Sequence, residues 1–208
     1  MFIPFRRSSF WRDFIVIQLG FALFGFSIVV MIRSNLGTNS WVVLEVALAN
    51  LLALTPGTLS VIVGLIVLVV SMIMKEKIGW GTLANILIIG PWEDFFLHVI
   101  PSVNSQPFLQ TILLVTAIFS MGIATAIYIG VDAGAGPRDS LMLAVERTTG
   151  LSLRLARACI EIFVVLIGWI LGGPLGLGTL VFAFLIGPAV QWGFRIFKVN
   201  SHRITAEA

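Results

Sequence analysis

Long apolar runs separated by short polar joints dominate the chain. Residues 14–32 are apolar but for Gln18, Ser27 and glycines. A helix rises ~1.5 Å per residue, so about 20 residues cross a bilayer core. Further runs follow at 40–54, 58–74 and 82–100, then at 108–131, 139–148, 152–171 and 179–197. None alternates apolar and polar positions with the period of two that a membrane barrel needs. The pattern predicts an all-α, polytopic membrane protein with eight helical segments. The second and sixth are the shortest, and 139–148 gives only ~15 Å of helix.

The runs also repeat. "IGWGTLANILIIGP" at 78–91 returns as "LGLGTLVFAFLIGP" at 175–188, 97 positions later. Gly79, Gly81, Thr82, Leu83, Ile89, Gly90 and Pro91 recur as Gly176, Gly178, Thr179, Leu180, Ile186, Gly187 and Pro188. Gly25 pairs with Gly122, Asn35 with Asp132 and Gly37 with Gly134 at the same offset. Between these the register reads as slipping, because "TPGTLS" at 55–60 resembles "TTGLSL" at 148–153. Two tandem four-helix units are expected, 14–100 and 108–197, followed by a short polar tail, 198–208.

Two topologies fit two such units. If every run crosses, the repeats are parallel and there are eight spans. If the short runs do not cross, the repeats are inverted and there are six. Placing the N-terminus inside, the six-span arrangement leaves only Arg33 outside, which the positive-inside bias favours. Residues 40–54 are apolar almost all round, so they make a poor surface helix. That property favours eight crossings, with the second and sixth thin or tilted.

Composition narrows the class further. The chain is 58% hydrophobic and 11% charged over 208 residues, with a mean hydropathy of +1.05. No soluble domain needs that much apolar surface. The basic pI of about 9.6 reflects cations at helix ends rather than a nucleic-acid surface. Arg6, Arg7 and Arg12 before an apolar run imitate a signal peptide, yet no small-residue cleavage site follows. Both termini are expected on the cytoplasmic side. The single cysteine, Cys159, is expected in the core and builds no disulfide framework or metal cluster.

"IRSNLGTNSWVVLEVAL", "GWGTLANILIIGP" and "GAGPRDSLMLAVERTTGLSLRLARACIEIFVVLIGW" together resemble the YczE-like bacterial integral membrane proteins, relatives of the YitT group. The resemblance covers about 14–197. It implies a protein of the bacterial plasma (inner) membrane with transporter-like activity.

Several polar residues stand where apolar ones would be cheaper. Pro91 and Pro188 each remove an N–H and push away the carbonyl four residues earlier, at Leu87 and Phe184. With Gly90 and Gly187 they are candidate helix breaks near the bilayer midplane, a plan that repeat-built carriers use for a central site. Packing kinks are the plainer reading. Asp132, Arg138 and Asp139 lie in "DAGAGPRDS", and Asn35 and Asn39 in the equivalent "NLGTNS". Either stretch suits a capped turn, or an anion at a helix N-terminus. Glu93, Asp94, Arg157 and Glu161 are intramembrane charges, each costing ~2.5–3.5 kcal/mol on insertion scales unless paired. Glu93 or Asp94 is expected to meet Arg157 or Arg154 in a central cluster. Glu45 and Asn50 carry less weight, and Glu146 and Arg147 are assigned to the interface.

These residues point to a carrier or permease for a small polar or anionic solute, working without a cofactor. A scaffold for a cytoplasmic enzyme and a solute-capturing subunit of an ATP-driven transporter are the alternatives. An enzyme is not expected: His98 and His202 lack partners at metal spacing, and Ser140 lacks a neighbouring base. Beyond the bilayer, the solute and, as one open arrangement, a second copy of the chain, no partner is implied.

Overall fold

Among the described residues, eight α-helices form in the order α1 (Phe10–Arg33), α2 (Ser40–Leu52), α3 (Pro56–Ile73), α4 (Trp80–Val99), α5 (Pro107–Ile129), α6 (Pro137–Thr149), α7 (Leu153–Ile170) and α8 (Leu177–Ile196). The structure is a computed structural model and describes residues 10–198 apart from 77, 132 and 135. Asp132 and the polar tail after residue 198 therefore lie outside the described residues, as do the side chains at 153 and 154. The helices α1, α3, α5 and α8 are long and apolar enough to cross a membrane. Of similar length, α4 and α7 carry the internal charges.

Local chemistry sets the helix ends. Asn39, Thr55 and Ser152 are N-caps whose side chains accept from the backbone N–H three residues on, which satisfies donors that no helix can pair internally. Ala53 and Gly150 close α2 and α6 in the left-handed conformation. All four helices of the second half begin 97 positions after those of the first. Lengths match as well: 13 residues for α2 and α6, 18 for α3 and α7, and 20 for α4 and α8. The expected slip in register is thus corrected. Thr55 corresponds to Ser152 and Gly57 to Arg154, because matching caps, not matching threonines, mark equivalent positions.

Helix directions decide the topology. Ser27 of α1 donates to Ser120 of α5 at 2.9 Å. A Cβ on Gly20 would touch Ile127 and Tyr128. Rising numbers on α1 meet falling numbers on α5, so the two are antiparallel. Phe10 meets Trp80 with ring centroids 5.5 Å apart, Gly25 meets Trp92, and Arg33 donates to the Leu97 carbonyl at 2.5 Å. So α1 and α4 are parallel. Gly122 on Ala189 and Gly193 on Ala126 make α5 and α8 parallel too. Gly57 lies against Gly90 and Asp94, and Gly64 against Ile86, so α3 runs antiparallel to α4.

Eight full crossings in a parallel arrangement would require α1 and α4 antiparallel, and α1 and α5 parallel. Both relations are reversed. Since α1 and α4 start at the same face, α2 and α3 together make one return, and α6 and α7 do likewise. The directions rule out eight full crossings in a parallel arrangement, and α8 ends at the face where α1 begins. All-round apolarity of 40–54 misled here because a short helix can be enclosed by protein without spanning alone. Residues of α2 from Trp41 to Ala49 are largely buried, among them Val42, Val43 and Ala47.

The recurring Gly-x-Gly-Thr motifs tie the halves together. Gly81 N–H donates to the Ala133 carbonyl at 2.9 Å, and Gly178 N–H to the Leu36 carbonyl at 2.7 Å. Each α5–α6 or α1–α2 link thus docks on the helix start of the other half. Gly37 and Gly134 hold φ of +112° and +118°, a region that favours glycine. Their Cβ atoms would also meet Thr179 Oγ1 at 2.7 Å and Thr82 Oγ1 at 2.9 Å.

The prolines do not break their helices. Both α4 and α8 continue through Pro91 and Pro188, and both prolines are exposed. Leu87 and Phe184, whose carbonyls they displace, are exposed as well. The ring is accommodated on the outer side, and the preceding glycine has the structural use. Gly90 lets α4 approach α3 backbone to backbone, where a Cβ would meet Val61 at 2.6 Å. In the second half a Cβ on Gly187 would meet nothing within 4 Å, and α7 makes no comparable seam with α8. Cys159 is exposed rather than in the core, because α7 is covered chiefly by α2 and α6.

Two outcomes test this arrangement. Gly57→Ala places a Cβ 2.6 Å from the Asp94 carboxyl and is expected to lower stability by about 1–3 kcal/mol. Gly187→Ala should stay within about 0.5 kcal/mol of the parent. Unfolding in detergent reads both, and equal losses would contradict the asymmetry. In a Cys159→Ala background, Ser27→Cys with Ser120→Cys should form an intramolecular disulfide, since the hydroxyls already lie 2.9 Å apart. Failure to oxidise would argue against antiparallel α1 and α5.

Candidate functional site

The first turns of α2 and α6 meet inside the protein. Trp41 and Arg138 are the second residues of these helices, and they correspond to each other at the 97-residue offset. The guanidinium carbon of Arg138 lies 5.1 Å from the Trp41 ring centroid, within cation–π range. Arg138 also donates to Glu45 Oε1 at 2.5 Å. Glu45 is fully buried, whereas the Arg138 side chain keeps 26% of its exposure.

Glu93 completes the group from α4. It too is fully buried, and neither of its carboxylate oxygens has a hydrogen-bond partner among the described residues. Glu45 and Arg138 are the strongest charges acting on it, followed by Asp94. Ser60 of α3 stands beside Glu93 and Glu45 without an ordinary hydrogen bond to Glu93. Glu45 Oε2 and the Ser140 hydroxyl are likewise buried and unpartnered. Four elements, α2, α3, α4 and α6, thus enclose two carboxylates and one guanidinium. Groups of this kind are normally satisfied in folded proteins, and each exception asks for a reason.

A second polar group sits on the other side of the α6 start. Asp139 Oδ2 lies 3.5 Å from the Tyr128 hydroxyl. A Cβ on Gly136 would meet Asp139 Oδ2 at 3.3 Å and Asn85 Nδ2 at 3.9 Å. Arg157 is the strongest positive charge acting on Asp139, and it pairs along its own helix with Glu161 at 2.9 Å. Arg138 and Asp139 therefore face two neighbouring polar groups from one helix turn.

The expected cluster of Glu93 or Asp94 with Arg157 is corrected, while the side chain of Arg154, the other expected partner, lies outside the described residues. Glu93 and Asp94 form no ion pair among the described residues, and the cation that reaches Glu93 is Arg138. Asp94 instead caps α3, accepting from Gly57 N–H at 3.0 Å and from the Thr55 hydroxyl at 2.6 Å. Gly57 leaves the space for that carboxylate, and the helix N-terminus stabilises its charge. Asn39 is spent on its own helix, accepting from Val42 N–H at 3.1 Å. Asn35 is remote from the centre and binds Ser102, Val103 and Asn104 of the α4–α5 link.

Sequence reasoning missed Trp41, Ser60 and Tyr128, and it gave Glu45 too little weight. Glu45 carried the same signal as Glu93, a lone carboxylate inside an apolar run. Arg147 and Glu146 were assigned to the interface; Arg147 pairs with Glu76 at 3.0 Å and also donates to the Met74 carbonyl, tying the end of α6 to the end of α3. No group of three metal-ligating side chains occurs among the described residues.

Comparison with known proteins agrees with a membrane protein of this length. The chain is 32% identical over 202 residues to a protein of Haemophilus influenzae named "Uncharacterized protein", covering 94% of this chain and 91% of that one. It is 31% identical over 170 residues to "Uncharacterized membrane protein YczE" of Bacillus subtilis, covering 81% and 79%. A third relative, "Uncharacterized protein YyaS" of Bacillus subtilis, is 28% identical over 176 residues, covering 81% and 86%. No solved structure matches. The family model described as "Family of unknown function (DUF6198)" matches residues 11–195, and the chain belongs to that family.

Proposed function

We propose that this protein is a secondary carrier that moves a small polar solute through a site between its two halves. Its six crossings form two inverted repeats in the bacterial plasma membrane. The observation that carries the reading is the enclosed group of Glu45, Glu93 and Arg138, in which three carboxylate oxygens have no hydrogen-bond partner among the described residues. Ionisable groups in membrane helices are costly and mark solute or ion pathways. A purely structural ion pair would leave fewer lone pairs empty.

Two further features support it. Short helices whose N-termini enter the protein centre are a recurring way to build carrier sites at a repeat interface, and α2 and α6 do this in opposite directions. In the second half, the open space at Gly187 leaves α8 without the close α7 neighbour that α4 has in α3. Orientation follows from charge. Arg12, Lys75, Arg147, Arg195 and Lys198 cluster at the face where α1 begins, and Arg33 lies at the opposite face. The positive-inside bias puts the first face, and both ends of the chain, in the cytoplasm. No catalytic step belongs to this reading.

Purified protein, screened by thermal shift against a solute library and then assayed for counterflow in liposomes, tests the reading. Stabilisation by some small polar solutes and solute exchange are expected. A well-folded protein that responds to none of them would sink it. The site also predicts a reversal of the usual mutational logic. Arg138→Ala alone strands Glu45 and should cost about 3–5 kcal/mol. Arg138→Met with Glu45→Leu should cost clearly less, while abolishing solute-induced stabilisation. If the double variant is as unstable as the single one, the pair is not the buried charge couple described here.

A further inference from the structure

We infer that Glu93 holds a proton in the closed site and exchanges it for a small cationic solute bearing N–H donors, such as an amine or a guanidine. This rests on the carrier reading and names its substrate class. Charge counting comes first. The enclosed centre has two carboxylates, Glu45 and Glu93, and one guanidinium, Arg138, which is committed to Glu45. One negative charge remains uncompensated in a place without solvent exposure at either carboxylate. Such a charge is strongly disfavoured unless something positive joins it.

Among the described residues packed against Glu93, none besides Arg138 supplies positive charge. Glu93 is faced by Glu45 from α2, by Ser60 from α3 and by Arg138 from α6. From α1 it is faced by Gly25, where a Cβ would touch its backbone nitrogen at 3.1 Å. The charged residues of α1 sit at its two ends: Arg12 and Asp13 at one, and Arg33, bound to Leu97, at the other. Asp94 on the same helix adds negative charge and is held by Gly57 and Thr55.

The chemistry of the unpartnered atoms then narrows the ligand. At the carboxylates these atoms are acceptors: both oxygens of Glu93 and Oε2 of Glu45. An anion would bring further negative charge to a place whose one guanidinium already faces two carboxylates. An alkali ion would need a fuller shell of oxygens than the three unpartnered carboxylate oxygens supply. A proton needs no shell, and it converts Glu93 into a neutral donor and acceptor. A cation with several N–H groups fills the same role when it displaces that proton. The exchange balances: Glu93 carboxylic acid releases one proton, and the resulting carboxylate receives one positive solute. Proton and solute cannot occupy the site together without leaving excess positive charge, which is the condition for exchange rather than co-transport.

The test uses full-length protein in lipid nanodiscs, lightly buffered, with methylammonium and guanidinium as probes and acetate as the anionic control. Infrared spectroscopy of the protein alone should show the carbonyl stretch of a buried protonated carboxyl. That band should fall on addition of either cation and be missing in Glu93→Gln. A pH indicator should register about one proton released per cation bound. Glu93→Asp should keep both responses, which separates loss of the proton from loss of the fold. Absence of the band in the parent protein overturns the proposal whatever solute binds. Cation binding without proton release overturns the exchange. Stabilisation by acetate but by neither cation overturns the substrate class and leaves the carrier reading standing. A protein that shows the band but binds no solute in any screen would remove the carrier reading, and with it this one.

Discussion

Two backbone hydrogen bonds hold the halves in their relation: Gly81 to the Ala133 carbonyl and Gly178 to the Leu36 carbonyl. Irregular backbone inside a membrane protein is tolerable only where its polar groups find partners. The links before α2 and α6 solve this by lying on the first turn of a helix from the opposite half, whose N–H groups have no partner within their own helix. Each link satisfies donors that the other half cannot. Where α2 and α6 begin is fixed by that exchange. The meeting of Trp41 with Arg138, and of Arg138 with Glu45, follows from it. Glycine at 79, 81, 176 and 178 is needed because the approach is backbone to backbone, and any side chain there would hold the halves apart.

Much of the architecture was legible in the sequence because apolar run length and the 97-residue recurrence are both one-dimensional. Eight segments, their approximate ends and the importance of the Gly-x-Gly-Thr motifs could be read directly. Direction could not. Hydropathy is the same for a helix read up or down, so the choice between parallel and inverted halves waited for contacts such as Ser27 with Ser120. The apparent slip at "TPGTLS" and "TTGLSL" came from matching residue types. Equivalent roles are filled by different residues: Thr55 and Ser152 both cap, and Ala53 and Gly150 both turn left-handed.

The site was half legible for a similar reason. Glu93 announced itself as a charge inside an apolar helix. Its surroundings are set by residues 93 positions apart, Glu45 and Arg138, and no spacing rule connects them. Asp94, next in sequence and equally conspicuous, has a local task at the start of α3. Two adjacent carboxylates thus differ completely in role because they point a third of a turn apart, one toward a helix N-terminus and one toward an enclosed centre. Proline drew attention at 91 and 188, yet the neighbouring glycine determines the packing there, and the ring merely faces outward.

Where the first half has Gly57, Ser60 and Gly64 along α3, the second has Arg154, Arg157 and Glu161 along α7. The small set lets α3 press against α4, whereas Gly187 of α8 has open space instead of a neighbour. The two halves are therefore mechanically unequal. Any tilting of α3 must drag α4 with it, but α7 is joined to the rest mainly through α2 and α6. The α7 helix is instead seated on α2, where Cβ atoms on Gly168 and Gly173 would meet the Leu44 and Val43 backbone. Because α2 carries Glu45 and α6 carries Arg138, both members of the central ion pair stand on the two helices that hold α7.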